Sequence, residues 1–278
     1  MPKVSVIVTT YNRKEYLKET IQSILNQTFQ DFEIIVVDNF SNYDFFDFIE
    51  SFKSEKIIVL QNKNNGIIAI NRNFGIERAK GEYIAFCDDD DLWSPVNLQT
   101  KMNYFANDPS IGMITSKEEI IDEKSESIGK TTQHWVNQSH FVTFKDFFLK
   151  NVGSPSAAVI RRDYFTEVGY FDESVNKKYI EDIDYWLRFS LKHKVFYLND
   201  ILGSYRVHQT NASYMDATPL LNSYFMRLEF ISKYQNEISG FNRDAQNHIR
   251  KSKLRIALFY LKRKKLKESV NWLLKIIF

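Results

Sequence analysis

Cysteine is nearly absent from this 278-residue chain, which contains Cys87 and no other. A single cysteine excludes an intrachain disulfide and a cysteine-rich zinc site. Cys87 lies at the end of an apolar run, where a thiol packs as a small hydrophobic group. We therefore expect a protein of a reducing compartment whose one thiol is buried.

Long hydrophobic runs are also missing. No apolar stretch approaches the roughly 18–20 residues that a membrane-spanning helix needs. The segment Met1-Pro2-Lys3 passes directly into a β-branched run, which leaves no room for a signal peptide. The formal net charge of +2 gives no electrostatic reason to expect nucleic acid as a partner. These absences predict a cytoplasmic protein that binds no nucleic acid.

Charge is distributed unevenly along the chain. From Arg250 to the end there are ten Lys and Arg residues against one Glu, a net charge of +9. Residues 1–249 carry 27 basic and 34 acidic residues, a net charge of −7. This asymmetry predicts an acidic folded body with a basic C-terminal tail.

Hydrophobic periodicity in the first hundred residues indicates alternating strands and helices. Short apolar runs alternate with stretches whose apolar residues recur at helical spacing. Such alternation predicts the Rossmann-like α/β class, with a mostly parallel central sheet and helices on both faces. The predicted strands are Val4–Thr9, Phe32–Val37, Ile57–Leu60 and Tyr83–Cys87, and the predicted helices span about 14–26, 44–52, 68–79 and 96–107.

The pattern is less regular farther along the chain. Residues 117–150 show polar and aromatic clusters without a clear period, and from Leu220 the pattern is helical to the end, with a break at Ser239-Gly240. The remaining predictions are strands at 111–115, 157–160 and 195–198 and a helix at 181–192.

Four consecutive carboxylates, Asp88 to Asp91, directly follow the apolar run Tyr83–Cys87. At separations of about 5 Å each neighbouring pair repels by on the order of 1–3 kcal/mol, which favours a bound cation. Carboxylate oxygens suit Mg²⁺ or Mn²⁺, and ligands of open α/β sheets gather at the carboxyl ends of strands. The alternative is a solvated acidic loop before the helix that begins near Ser94-Pro95.

Polar and aromatic side chains also follow the first two predicted strands. After the first strand, Tyr11 offers a face for stacking on a base and Arg13 can reach a phosphate, with Thr9 beside them. Tyr11 can equally serve as a loop anchor. Asp38 ends the second strand, where a carboxylate can accept a hydrogen bond from a ribose hydroxyl or a uracil imide, or cap the next segment. These residues predict a nucleotide site.

The order of the short motifs resembles the family 2 glycosyltransferases, which are inverting, nucleotide-sugar-dependent enzymes with the GT-A fold. The resemblance covers about residues 3–215, and it depends on all the motifs occurring in order, since each alone is weak. The motifs are VSVIVTTYNR, IIVVDN, NNGI, NRNFGIERAKGEYI, DDDDLWSP, FDES, EDIDYWLR and YRVHQTN.

The resemblance implies a metal site in the aspartate tetrad. The family's Asp-x-Asp motif corresponds to Asp88, Asp89 and Asp90. Asp90 would bind Mn²⁺ or Mg²⁺ directly, while Asp88 and Asp89 would serve the ribose and a metal-bound water, so Asp88 is a metal candidate too. His208 corresponds to a position where some GT-A enzymes place a further metal or phosphate ligand, although a lone histidine is more often structural.

The resemblance also implies the catalytic base. Glu181-Asp182 matches the family's Glu-Asp motif, in which the aspartate deprotonates the acceptor hydroxyl. Without the resemblance, the positive end of the helix that they open is sufficient to explain both carboxylates. Asp184 and Arg188, spaced i and i+4, are predicted to form a supporting pair.

Two positions complete the predicted donor site. Arg72 and Asn73 match polar positions that face the nucleotide in the family, although a solvated helix arginine is the commoner situation. Phe40 departs from the family, which has glycine after the corresponding Asp-Asn pair. Glycine takes positive φ freely, whereas Phe does so at a steric cost, so the path of the loop 39–42 is not predicted.

The implied function is the transfer of one sugar from a nucleotide donor to a glycan or lipid-linked glycan acceptor of a surface polysaccharide, with UDP favoured as the carrier and dTDP second. The chain lacks the Gln-x-x-Arg-Trp motif and the membrane spans of processive synthases. A non-catalytic nucleotide-sugar-binding or scaffold protein is one alternative. A sugar-nucleotide pyrophosphorylase is another, although the loop at 10–14 lacks the glycines that it would need.

We expect a GT-A domain at 1–215, with a nucleotide-sugar half at about 1–116 and an acceptor half at about 117–215, followed by a basic helical extension at 216–278. Five apolar residues of the extension fall on one helical face beside the run Lys262–Lys265. Such a helix can lie on the inner face of an anionic membrane, or pack on the catalytic domain or on a second subunit as a homodimer. The five residues are Leu266, Val270, Leu273, Leu274 and Ile277.

Overall fold

The computed structural model describes residues 1–174, 178–209, 211 and 217–277. They are organised around one mixed sheet whose main path has the strand order β3-β2-β1-β4-β9-β6-β10-β5, with β7 paired to β6 and β8 to β10. The strands are β1 (Val4–Thr10), β2 (Phe32–Asp38), β3 (Ile57–Gln61), β4 (Tyr83–Phe86), β5 (Leu92–Trp93), β6 (Ile111–Ile121), β7 (Ser127–Thr131), β8 (His140–Val142), β9 (Val159–Arg161) and β10 (Lys194–Arg206).

The helices begin close to the predicted positions in the first half of the chain. They are α1 (Lys14–Leu25), α2 (Phe45–Glu50), α3 (Ile68–Ile76), α4 (Asn97–Asn107), α5 (Phe144–Lys150), α6 (Tyr164–Val168), α7 (Glu181–Ser190), α8 (Thr218–Lys233), α9 (Asn242–Lys262) and α10 (Leu266–Ile277). Short 3₁₀ turns occur at Pro155–Ala157 and Ser239–Phe241.

The sheet is parallel where the chain alternates strand and helix. β1 pairs in parallel with β2 and β4, and β2 pairs in parallel with β3. Successive residues of β1 enter different cores, since Val6 and Val8 pack with α1 while Ile7 packs on the opposite face with α3. The predicted α/β class with a mostly parallel sheet covered on both faces is confirmed. β9 and β5 run antiparallel to their neighbours on the path.

The second half of the sheet is longer than the sequence pattern predicts. β6 continues past Thr115 to Ile121 and β10 runs for 13 residues, whereas the predicted strands ended at 115 and 198. Buried polar residues such as Glu118 interrupt the apolar pattern of β6, and register shifts around Ile201 interrupt that of β10. The segment 117–150, which showed no period, contains β7, β8 and α5.

The loop after β2 has a positive φ at Phe40, which is the backbone conformation that favours glycine. Phe40 has φ of 60° and a side chain that is 57% exposed. Asn12 and Ser41 join this loop to the loop after β1, because the backbone N–H of Asn12 donates to Ser41 Oγ at 2.8 Å. The departure at Phe40 therefore leaves the positive φ in place and puts an aromatic ring in solvent.

The three C-terminal helices pack on the sheet domain and on one another. Phe230 of α8 and Phe241 contact Phe144 and Phe148 of α5, and Trp272 of α10 contacts Tyr224 of α8. The predicted domain boundary after residue 215 falls outside the described residues. Among the described helices, none is long and apolar enough to cross a membrane.

The predicted apolar face of α10 does not pack on the protein. Leu266, Val270, Leu273 and Leu274 are 39–63% exposed, and the side chain of Ile277 lies outside the described part. Trp272 and Ser269 face α8 and α9 instead, since Ser269 Oγ donates to a backbone oxygen of α9 and Trp272 is 8% exposed. The alternative that this face packs on the catalytic domain is therefore wrong for the four described residues.

Candidate active site

A cleft of about 540 Å³ opens beyond the carboxyl ends of β1 and β4. This is the position where open α/β sheets hold their ligands. Nine of the twelve predicted site residues line it, from four separate motifs, so the fold brings together what the sequence leaves far apart. They are Thr9, Tyr11, Arg13, Arg72, Asp88, Asp89, Asp90, Glu181 and Asp182.

Arg13 neutralises the middle of the aspartate tetrad. Its Nη1 donates to Asp89 Oδ1 at 2.9 Å and to Asp90 Oδ2 at 2.6 Å. Burial alone would lower the pKa of Arg13, but the two carboxylates outweigh it and raise that pKa. Asp89 also accepts from the hydroxyl of Thr10 at 2.7 Å, and burial raises its pKa to about 6. Each carboxylate thus already has a cationic or hydroxyl donor from the protein.

Arg72 connects the tetrad to the Glu-Asp motif. Its Nη2 donates to Asp88 Oδ1 at 2.6 Å, while its Nη1 donates to Glu181 Oε1. The guanidinium is almost fully buried, and its two carboxylate partners raise its pKa although burial opposes this. Glu181 Oε2 is buried without a hydrogen-bond partner in the described part of the chain. The two predicted functional motifs therefore share one cation.

Asp182 is the carboxylate best suited to accept a proton. It lines the cleft at the start of α7, where Oδ1 accepts from the Ile183 backbone at 2.8 Å. Burial raises its pKa to about 7, and the charge of Glu181 adds to the effect while Arg72 opposes it. A group with a pKa near the ambient pH exchanges protons efficiently with a bound hydroxyl.

Asp91 has a structural role. Its two oxygens accept from Ser156 Oγ and, at 2.9 Å, from the backbone N–H of Arg206, and its side chain does not line the cleft. Arg206 is itself fully buried and donates to the carbonyl of Asp90 at 2.7 Å. These contacts fix the end of the tetrad to β10 and to the 3₁₀ turn that contains Ser156.

Three predicted site residues lie outside the cleft wall. Asp38 is fully buried, and its oxygens accept from Ser41 and from Gln61 Nε2 at 3.0 Å. Asn73 uses its side-chain amide to hold Phe171 and Glu173. Nucleotide contacts of these two residues remain predictions, and the observed contacts are within the protein.

His208 lies behind the tetrad rather than on the cleft wall. Its Nε2 is 2.9 Å from Asp90 Oδ2, and its ring packs on Tyr16 at a centroid distance of 5.3 Å. His208 therefore contacts the tetrad through Asp90. Its proposed role as a metal or phosphate ligand remains a prediction.

Several lining residues were not predicted from the sequence. Asn64 and Gly66 belong to the NNGI motif, to which no site role was assigned, and Gln133 lies in the stretch 117–150 that shows no clear period. Ser154 and Lys178 lie in the predicted acceptor half, where no individual site residue other than Glu181, Asp182 and His208 was named. Ser154 is held by Glu118, whose oxygens accept from its hydroxyl at 2.8 and 2.9 Å. The burial of Glu118 and its place in β6 are known only from the structure, so the sequence carries no signal for this part of the wall.

The cleft residues can coordinate a divalent cation only together with phosphate oxygens of the nucleotide-sugar donor. In the described part of the chain, no group of three or more His, Cys, Asp and Glu side chains is arranged to hold a metal ion. Asp88 and Asp90 supply the hard oxygens that Mg²⁺ and Mn²⁺ prefer, and such ions are commonly held by one or two carboxylates plus substrate phosphates. Asp88, Asp90 and the donor's phosphates could together complete a coordination sphere.

Comparison with known proteins identifies the class. The profile of the glycosyl transferase family 2 matches residues 5–169, and the chain belongs to this family. An uncharacterized glycosyltransferase of Methanocaldococcus jannaschii is 31% identical over 212 residues, which is 74% of this chain and 71% of the relative.

Two further proteins show what this chain resembles more specifically. The putative teichuronic acid biosynthesis glycosyltransferase TuaG of Bacillus subtilis is 25% identical over 76% of this chain and 82% of its own. The crystal structure of Staphylococcus aureus TarS 1-349 with UDP-GlcNAc superposes with a TM-score of 0.69 at 19% identity, covering 96% of this chain and 89% of that one. The protein is thus a family 2 glycosyltransferase with the GT-A fold and relatives in surface-polysaccharide synthesis.

Replacing Arg72 with methionine should be strongly destabilising. The change leaves the buried Glu181 and the half-buried Asp88 without their cation, and the loss of a buried ion pair costs about 3–5 kcal/mol. The exposed Arg78, also in an ion pair with a neighbouring glutamate, is the matched control. Arg78→Met should change stability by no more than about 0.5 kcal/mol. Thermal unfolding of both variants measures the difference, and equal melting temperatures would show that the bridge contributes nothing.

Proposed function

We propose that this glycosyltransferase transfers a single sugar from a nucleotide-sugar donor, with inversion, to a glycan or lipid-linked glycan acceptor of a surface polysaccharide. The observation that carries the proposal is the convergence of the tetrad and Asp182 on one cleft through Arg72. UDP is the favoured carrier and dTDP the second, which agrees with the UDP-GlcNAc bound to TarS. The teichuronic acid assignment of TuaG supports the acceptor class.

The proposed chemistry is one displacement at the anomeric carbon. Asp182 takes the proton of the acceptor hydroxyl, whose oxygen attacks the carbon from the face opposite the leaving group. The bond between that carbon and the phosphate oxygen breaks, and the nucleoside diphosphate leaves with its electron pair. Arg13 and Arg72 keep the neighbouring carboxylates in place, and Asp182 later returns the proton to solvent. A bound Mn²⁺ or Mg²⁺ would neutralise charge on the leaving diphosphate.

A non-catalytic nucleotide-sugar-binding protein of the same fold is the second candidate. It would need the donor half of the cleft but no base. The raised pKa of Asp182, which faces the same cleft, favours the enzyme over this candidate. The cleft loop at 10–14 has no glycine, which disfavours a pyrophosphorylase.

We also propose that the C-terminal helices hold the enzyme at the inner, cytoplasmic face of an anionic membrane. Residues 261–268 are all exposed, and this stretch includes Lys262, Arg263, Lys264, Lys265 and Lys267. The exposed apolar face of α10 follows directly. A basic segment beside an apolar helical face is the arrangement that binds an interface rich in anionic lipids.

Donor binding should depend on metal and on Asp90. With Mn²⁺ present, UDP at a hundred times its Kd should stabilise the protein by about 2.7 kcal/mol, and dTDP, GDP and CMP serve as comparison ligands. The variant Asp90→Asn should lose the metal-dependent part of the shift in thermal unfolding. If no nucleotide shifts the transition of the wild-type protein, with or without metal, the donor site is not where we place it.

Catalysis should require ionised Asp182. Because the acceptor's proton goes to the carboxylate, kcat/KM should rise with pH through an apparent pKa of about 7, well above that of an ordinary aspartate. Asp182→Asn should reduce transfer at least about 100-fold while leaving UDP binding unchanged. Transfer by the variant at the wild-type rate would remove Asp182 from the mechanism and favour the binding-protein alternative.

Membrane binding should depend on charge and on the α10 face. We expect sedimentation with phosphatidylglycerol vesicles, weak binding to phosphatidylcholine vesicles, and loss of binding in Leu273→Ser/Leu274→Ser. The exposed Ile128, in β7, provides the control variant Ile128→Ser. The contrary outcome is a wild-type protein that binds no vesicles, is a dimer by light scattering, and becomes a monomer in the double variant. That outcome would assign this face to a second copy of the chain.

A further inference from the structure

A second cavity of about 180 Å³ lies where the C-terminal helices meet the acceptor side of the cleft. Residues of α5, α7, α8 and α9 line it. Asn151 lines both this cavity and the cleft, and Ile183 on its wall directly follows Asp182. The cavity is therefore a neighbour of the proposed base, and the mechanism above makes no use of it.

The wall of this cavity is cationic. Lys150, Arg227 and Arg255 line it, together with His248, whose pKa is lowered to about 4 by burial and then by Arg227 and Arg255, so that it is neutral near pH 7. Among the described lining residues there is no Asp or Glu. Three cationic side chains thus line a small space, and none of its described lining residues is a carboxylate.

Arg227 is the buried member of this group, at 4% exposure. Its Nε donates to the Phe148 carbonyl at 3.0 Å, and its Nη1 donates to the carbonyl and hydroxyl oxygens of Ser223. No ion pair of Arg227 occurs in the described part of the chain. Burial, followed by the nearby Arg255, lowers its pKa to about 10 although Asp182 opposes the shift. A buried cation whose partners are neutral is costly, and a bound anion would relieve that cost.

We propose that this cavity binds a phosphoryl group of the acceptor, either a phosphate ester or a diphosphate. The inference rests on the proposed function, because that function places the acceptor's hydroxyl in the cleft beside Asp182. The anionic end of the acceptor would then contact Arg227, Arg255 and Lys150. Several cations around one small space suit the multiple charged oxygens of a phosphoryl group. Asn151 lines both spaces, and its buried Oδ1, which has no hydrogen-bond partner among the described residues, can accept from a hydroxyl of the acceptor but does not bind the anion.

Binding of inorganic pyrophosphate to the full chain tests the cavity without turnover. Calorimetric titration in EDTA should show binding that Arg255→Gln weakens about tenfold or more, the loss expected for a charge-assisted hydrogen bond. Arg255 is exposed, so its replacement should not unfold the protein. Arg250→Gln, the same change on the exposed side of the same helix but off the cavity wall, should bind as wild type. Equal affinities for the two variants would overturn the proposal.

Two further titrations test where the anion binds and which kind of phosphate the cavity prefers. If Arg13→Gln abolishes pyrophosphate binding while Arg255→Gln leaves it intact, the anion occupies the donor cleft and the proposal fails. Geranyl diphosphate and glycerol 1-phosphate, titrated in the same way, distinguish a lipid diphosphate from a phosphate in a glycan chain. Tighter binding of either one, lost in Arg255→Gln, supports the cavity.

The proposed function can fail separately. Pyrophosphate binding that depends on Arg255 in a protein that transfers no sugar would keep the anion cavity and reject the transferase mechanism. If transfer proceeds and Arg255→Gln changes neither pyrophosphate binding nor the KM for a phosphorylated acceptor, the cavity proposal alone is rejected.

Discussion

The buried guanidinium of Arg72 is the contact on which the rest of the site depends. It is held between Asp88 and Glu181, which are separated by more than ninety positions in the chain. Removing such a cation would leave the buried Glu181 and the half-buried Asp88 without it, which is a costly change because a buried charge loses its partner. The bridge therefore fixes the distance between the donor half of the cleft and the start of α7, where Asp182 lies.

The aspartate tetrad shows how a protein tolerates four consecutive carboxylates. Repulsion within the tetrad favoured, from the sequence, a bound cation, and in the structure two arginines supply positive charge to it. Arg13 contacts Asp89 and Asp90, and Arg72 contacts Asp88. Arg206 donates its backbone N–H to Asp91 and its Nε to the Asp90 carbonyl, while its guanidinium forms an ion pair with Glu19. The case for a metal consequently depends on the hardness of the oxygens and on the donor's phosphates, and charge repulsion adds little to it.

The C-terminal helices connect the site to whatever carries the acceptor. On one side they close a cationic cavity beside Asp182, and on the other they expose a basic stretch and an apolar face. Both features arise because α8 and α9 pack on α5 through aromatic residues, which orients the outer surface of α10 away from the sheet. Acceptor recognition and membrane attachment, as proposed, would then belong to the same three helices.

Local sequence determined the α/β class, the motif positions and nine of the residues that line the cleft, because β-branched runs, helical spacing and strand-end polar residues act within a few positions of one another. Tertiary structure decided the rest. The sharing of Arg72, the use of Asp38 and Asn73 inside the protein, and the strands that continue through Glu118 and past Leu198 all depend on partners far away in the chain. A side chain's residue type shows what it can bind, but only packing shows which partner reaches it.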